Sequence, residues 1–99
     1  MESLSGVLPR VLKQLGLEEG LLGWRAVREW EQVVGPRLAR HTRAVAFRDG
    51  VLRVEVGGSA WMHELGFLKA DLIRKVNQHL GGRLVRNVRF VVPRGGILR

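Results

Sequence analysis

Apolar residues recur at three- and four-residue steps in three stretches of the chain and at two-residue steps in three others. In the first stretch, Leu4, Val7, Leu8, Val11, Leu12 and Leu15 fall on one face of a helix. Pro9 is tolerated only near a first turn, so the regular helix is expected to start near Val7 and to end at Gly16. A second helix is expected over residues 21–34, with Val27, Trp30, Val33 and Val34 as its stripe and Gly35-Pro36 as its stop. Pro36 then opens a short turn over 36–41 with Leu38 pointing inward.

From Ala44 the period drops to two. Val45 and Phe47 alternate with Ala44, Ala46 and Arg48, and Leu52, Val54 and Val56 alternate with Arg53 and Glu55. Asp49-Gly50 between the two runs is a type I′ hairpin signal. A two-residue turn pairs Arg48 with Val51, Phe47 with Leu52, Ala46 with Arg53 and Val45 with Val54. Gly57-Gly58-Ser59 ends the second strand, and Ser59 is a candidate cap for the next helix. That helix runs roughly over 60–80, with Trp61, Leu65, Leu68, Leu72, Val76 and Leu80 as its stripe and Met62, Ile73 and Phe67 alongside. Asp71 and Lys75 form an i,i+4 pair on it. Gly66 leaves room for two helices meeting near Gly66-Phe67. Residues 84–92 alternate again, with Val88, Phe90 and Val92 on one face and Asn87, Arg89 and Val91 on the other, closed by Pro93.

The expected fold class is α+β, a two-layer sandwich with helices on one face of a three-stranded sheet. From the second helix onward the order matches a type II KH-like domain, αββααβ, preceded by one additional N-terminal helix. The likeness is one of fold only. One domain is expected over 4–93, with a short tail at 94–99.

Charge changes the picture most. Seventeen Lys and Arg oppose nine Asp and Glu, a net charge of +8, and only Lys13, Lys69 and Lys75 are lysine. Arginine forks match phosphate geometry and stack on bases, so a polyanion is the expected partner. A genome biased toward arginine would explain Arg over Lys, but not the excess of positive charge. The 99 residues suffice for one core without staples, and with no cysteine neither disulfides nor thiolate metal sites can form. No apolar run reaches membrane-spanning length and Met1-Glu2-Ser3-Leu4 does not read as a signal peptide, so a cytoplasmic location is expected.

No chemistry of catalysis is expected. His41, His63 and His79 fall in no metal-binding spacing, and His63-Glu64 are adjacent on a helix, about 100° apart. Ser59 sits in Gly-Gly-Ser-Ala, which is neither a nucleophile elbow nor a P-loop. Neither catalytic residues, metal, cofactor nor small-molecule substrate is expected. The candidate nucleic-acid-binding residues are Arg37, Arg40 and Arg43, spaced by three through the 36–43 connection, Arg48 and Arg53 on the outward face of the hairpin, and Arg86 and Arg89 on the third strand. Arg48, Arg53 and Arg89 form a phosphate platform if the outer sheet face is open. The alternative is a solvated face on which Arg48 or Arg53 pairs with Glu55. Phe47 and Phe90 are expected inward, so RRM-style stacking is not. Trp30 and Trp61 are expected in the core, and Trp24, near a helix start, is the candidate partner contact.

An ordered set of residues then resembles the DciA family of bacterial proteins. It runs from Trp30, Val33-Val34-Gly35-Pro36, Leu38-Ala39 and His41-Thr42 through Asp49-Gly50, Leu52, Val54 and Val56. It continues with Ser59, Trp61, Glu64-Leu65, Leu72-Ile73, Val76-Asn77, Leu80-Gly81, Val88 and Phe90. The match covers about residues 4–92. The resemblance implies a KH-like domain that binds DNA, single- or double-stranded, and assists loading of the replicative helicase DnaB at initiation. It also implies an extension outside that domain. At Leu65-Gly66-Phe67-Leu68 one glycine stands where a KH clamp uses two, so KH-style clamping of a strand is not expected. The rival readings are an RNA- or ribosome-associated KH-like protein and a protein-interaction module that binds no nucleic acid.

Overall fold

A computed structural model describes residues 18–93. The helix expected over 4–15 and the tail at 94–99 lie outside the described residues. The described chain runs through helices α1 (Glu18–Arg28), α2 (Trp30–Val34) and α3 (Pro36–Ala39), strands β1 (Thr42–Arg48) and β2 (Val51–Val56), helix α4 (Ser59–Leu80) and strand β3 (Asn87–Val91). The three strands form one sheet in the order β1-β2-β3, with β1 antiparallel and β3 parallel to β2. The parallel pairing needs a long crossover, and α4 supplies it.

The helix expected over 21–34 is two. Glu29 departs from helical geometry (φ −104°, ψ 16°), although its N–H still reaches the Arg25 carbonyl at 2.9 Å. The chain bends where the Glu29 carboxylate is held from both sides, by Arg25 and by His79 at the far end of α4. The bend sends Ala26 and Trp30 into the core. Pro36 is the first residue of α3, and Leu38 is half-buried against the second of two core clusters, formed by Val56, Leu65 and Leu72. Trp30 Nε1 donates to Thr42 Oγ1 at 2.9 Å, and Thr42 Oγ1 donates to the Leu38 carbonyl at 2.7 Å. This buried relay ties α2, α3 and β1 together, and it satisfies the polar edge of a tryptophan that is otherwise core.

Asp49 and Gly50 both take positive φ (52° and 79°), as a type I′ turn requires. The register near the turn is the expected one: Arg48 faces Val51, Phe47 faces Leu52 and Ala46 faces Arg53. The fourth pair is not. A bulge between Ala44 and Ala46 leaves Val45 unpaired and sets Ala44, not Val45, opposite Val54. Ala44 and Thr42 therefore point inward and are buried, while Val45 is only half-buried. Phe47 lies so close over α1 that a Cβ on Gly23 would come within 1.9 Å of its Cδ1, so the helix can approach the strand only because residue 23 is glycine.

Helix α4 is continuous through Gly66, so the αα pair of the KH-like order is one helix here. Leu65, Leu72, Val76 and Leu80 are buried along one line on both sides of Gly66. That burial, roughly 1.5–3 kcal/mol per side chain, outweighs the ~1 kcal/mol helical cost of one glycine. Ser59 makes no capping bond; the cap position belongs to Gly58. Asp71 pairs with Arg74, not Lys75. Two residues leave the expected stripe: Trp61 is half-buried and Phe67 is 79% exposed. Strand β3 is shorter than expected. Its last pair is Glu55 with Val91, so Val92 lies beyond the ladder and is exposed, next to a proline that has no N–H to continue it.

Candidate nucleic-acid interface

Alternation along β2 sends Leu52, Val54 and Val56 into the core and Arg53 and Glu55 out. The register decides what surrounds them. Arg53 lies directly between Ala46 of β1 and Arg89 of β3. Like charges directly opposite on neighbouring strands repel. Neither Arg53 nor Arg89 is paired with a carboxylate among the described residues, and both are exposed. Glu55 is taken by Arg43, opposite it on β1, with Nη2 to Oε1 at 2.8 Å. The alternative pairing of Glu55 with Arg48 or Arg53 is not formed. Arg48, beside the turn, reaches only Asp49 at 3.7 Å, with both side chains more than four-fifths exposed, and such a pair is worth little. Arg43, Arg48, Arg53 and Arg89 thus share the face of the sheet opposite the core, where Glu55, half-buried and taken by Arg43, is the one carboxylate the strands carry.

The other three candidate arginines go elsewhere. Arg37, on α3, reaches across to Glu64 of α4 at 3.5 Å and sits 6.0 Å from the Trp61 ring centroid. Trp61 stacks on His41 with centroids 4.2 Å apart and planes 18° apart. Trp61 is therefore half-covered by a histidine and a guanidinium at the mouth of the second core cluster, a position that differs from the buried one expected. Arg40 is exposed at the end of α3; the three-residue spacing does not bring the set together, because Arg37 turns to Glu64 of α4 while Arg43 lies on the sheet beside Glu55. Arg86 precedes β3 instead of lying in it. Its N–H donates to the Gly50 carbonyl at 2.7 Å and its Nη2 donates to the Asp49 carbonyl, so it clamps the hairpin turn. That clamp uses a neutral carbonyl, and among the described residues no carboxylate pairs with Arg86.

Trp24 is 52% exposed, on the same side of α1 as Leu21, which is 54% exposed. The pair is an apolar strip of the kind expected of a partner contact. Phe67, expected alongside the apolar stripe, is instead exposed, and sequence reasoning assigns no role to Arg74 and Arg83. Phe67 stands on the outward face of α4, its ring edge-on to His63 at 5.3 Å. It follows Leu65 by two residues, about 200° around a helix, which was the available signal that it leaves the stripe. His79 Nε2 lies 2.6 Å from Glu29 Oε1, and this contact, with help from Arg25 and against the opposing effect of burial, holds the Glu29 carboxyl below the usual glutamate range. Among the described residues, no three side chains that could ligate a metal gather in one place, and no helix is long and apolar enough to cross a membrane.

Residues 3–90 match the family described as Dna[CI] antecedent, DciA. The chain belongs to the DciA family. Its similar relatives include a UPF0232 protein of Corynebacterium glutamicum, 27% identical over 75 residues, which covers 76% of this chain and 42% of that protein. A UPF0232 protein of Mycobacterium tuberculosis is 40% identical over 48 residues, 48% of this chain and 26% of that protein. One from Rhodococcus jostii is 29% identical over 66 residues, 67% of this chain and 35% of that protein. The matches therefore span less than half the length of each of these relatives. The DciA match takes in every described element up to Phe90, including Arg53, Arg89 and the Trp61 stack.

Proposed function

We propose that this DciA-family chain is a nucleic-acid-binding adaptor of the bacterial cytoplasm that assists loading of a DnaB-type replicative helicase onto DNA. It acts by binding, not by catalysing a reaction. The fold reading that goes with this is a two-layer, KH-like domain whose sheet turns its outer face to the nucleic acid.

The observation that carries the proposal is the Arg53–Arg89 neighbour pair. Two guanidinium groups held side by side on an exposed sheet cost stability unless an anion lies across them. Arg43 and Arg48 extend the same face along β1. A phosphate backbone supplies charge at the right density, and such contacts fix position without reading sequence. The strands offer no outward aromatic to stack bases: Phe47 and Phe90 both pack against the core.

The test is a salt titration of binding to single-stranded and duplex DNA and to RNA, with wild type and with Arg53→Glu/Arg89→Glu. Wild-type affinity should fall with log salt with a slope of about −0.7 to −0.9 per phosphate neutralised. The double variant should lose about two phosphates' worth of that slope, equally for unrelated sequences. Wild-type affinity that stays flat with salt would refute the proposal. Capture of purified helicase by the chain, measured alongside, tests the adaptor half: no capture leaves nucleic-acid binding standing and removes the helicase.

A further inference from the structure

A groove of about 700 Å³ runs between the C-terminal half of α4 and the connection from Gly81 to Arg86, away from the outer sheet face. Its floor is aliphatic: Ala70, Ile73 and Val85. Its rim carries Arg74, Arg83 and Arg86, and among the described residues no acidic side chain lines it. The groove is preset. Asn77 Nδ2 donates to the Val85 carbonyl at 2.9 Å, and the Val85 N–H donates to Asn77 Oδ1 at 2.8 Å, so one side chain locks the connection onto the helix. The charge on the rim is only partly answered. Arg74 meets Asp71 at an exposed position, Arg86 rests on a neutral carbonyl, and Arg83 is exposed. Phe67 continues the apolar surface past the groove's end, on the same side of α4 as Ala70 and Arg74.

We propose that this surface binds an acidic amphipathic helix of a partner protein. One apolar stripe of that helix covers Phe67, Ala70, Ile73 and Val85, and carboxylates flanking the stripe meet Arg74, Arg83 and Arg86. Charge complementarity selects the occupant, because a rim of three arginines around an apolar floor asks for acid on both sides of an apolar ridge. From Phe67 to Gln78 the helix rises about 16 Å, enough for some three turns of a partner. A nucleic acid fits less well. A phosphate backbone would meet the arginines but leave Ala70, Ile73 and Val85 without an apolar partner. The inference stands apart from the sheet-face proposal, since it uses different residues on a different surface.

The test is fluorescence anisotropy of the whole chain with a labelled peptide of about 14 residues, carrying leucines at i, i+3, i+4 and i+7 with glutamates between them. A second peptide has lysines in place of the glutamates. Ala70 and Arg83 are exposed, so Ala70→Glu and Arg83→Glu should fold as the wild type does, which circular dichroism checks. The acidic peptide should bind and the lysine peptide should not. Each variant should weaken the acidic peptide roughly tenfold or more. Arg53→Glu should leave it unchanged while weakening oligonucleotides. Failure of the wild type to bind the acidic peptide, or equal binding by both groove variants, would overturn the proposal. So would groove variants that weaken oligonucleotides and spare the peptide, which would make the groove part of the nucleic-acid site.

Discussion

Two glycines of α1 give opposite answers to one substitution. Replacing a helical glycine with alanine ordinarily stabilises by up to about 1 kcal/mol, through helix propensity and a less disordered unfolded chain. At Gly20 a new Cβ meets nothing within 4 Å among the described residues, so Gly20→Ala should show that gain. At Gly23 the Cβ would lie 1.9, 2.2 and 2.6 Å from Cδ1, Cγ and Cε1 of Phe47. Ordinary contact starts near 3.4 Å, so the ring must retreat by about 1.5 Å. The ring has little freedom to do so, because it packs against the core cluster and its strand is fixed opposite Leu52. Overpacking of this kind costs ~1–3 kcal/mol, and expelling the ring altogether would approach the ~3–5 kcal/mol of a Phe→Ala truncation. Subtracting a propensity gain of up to about 1 kcal/mol from a penalty of ~1–5 kcal/mol leaves Gly23→Ala destabilised on balance, by up to about 4 kcal/mol.

Urea unfolding followed by tryptophan fluorescence measures both variants, and a double-mutant cycle isolates the cause. In a Phe47→Ala background the ring is gone, so Gly23→Ala should turn neutral or stabilising. A Gly23→Ala protein as stable as wild type would refute the reasoning. A loss that persists undiminished without the Phe47 ring would refute it equally, because the cost would then lie in the helix itself.

Trp61→Ala should cost about 1–3 kcal/mol, less than a fully buried tryptophan, because it loses the His41 stack and only part of a core contact; a loss of about 5 kcal/mol in a thermal melt would place Trp61 in the core after all. The depressed Glu29 carboxyl predicts acid sensitivity. A group whose folded pKa lies below its unfolded value stabilises above the unfolded value, and that stability is lost as pH falls through the folded one. Urea midpoints should therefore drop on acidification below the usual glutamate range, and Glu29→Gln should shrink that drop; an unchanged pH profile in the variant would count against the His79 contact.

What was legible in the sequence is what local rules control. Asp49-Gly50 fixes a turn, the turn fixes three pairs of register, and period two then puts Arg48, Arg53 and Arg89 on the outer face. Trp24 is exposed as expected, but not for the expected reason: α1 already begins at Glu18, so Trp24 stands mid-helix, one turn from the exposed Leu21. Tertiary geometry decided the rest. Trp61 lies on the apolar stripe of α4, yet the stripe's first turn overhangs the end of the sheet, where His41 and Arg37 cover the ring in place of core. The groove by Ile73 depends on Asn77 holding Val85 eight residues away, a contact that no local pattern announces.

The bulge in β1 carries most of the electrostatic consequence, and the sequence held a sign of it. In an unbroken strand Arg43, Val45 and Phe47 would share one face, and Phe47 faces the core. Arg43 would then be buried without a partner, at a cost of several kcal/mol. The same register would set Glu55 opposite Ala44. One extra residue removes both conflicts: Arg43 moves to the outer face and lands opposite Glu55, while Ala44 and Thr42 turn inward, where Thr42 meets the Trp30 indole. A charged residue on the parity of the core side chains is thus the signal of an irregularity between them. With Glu55 bound to Arg43, Arg53 and Arg89 are left as the adjacent pair on which a phosphate can lie, so the bulge sets the charge pattern of the face as well as its shape.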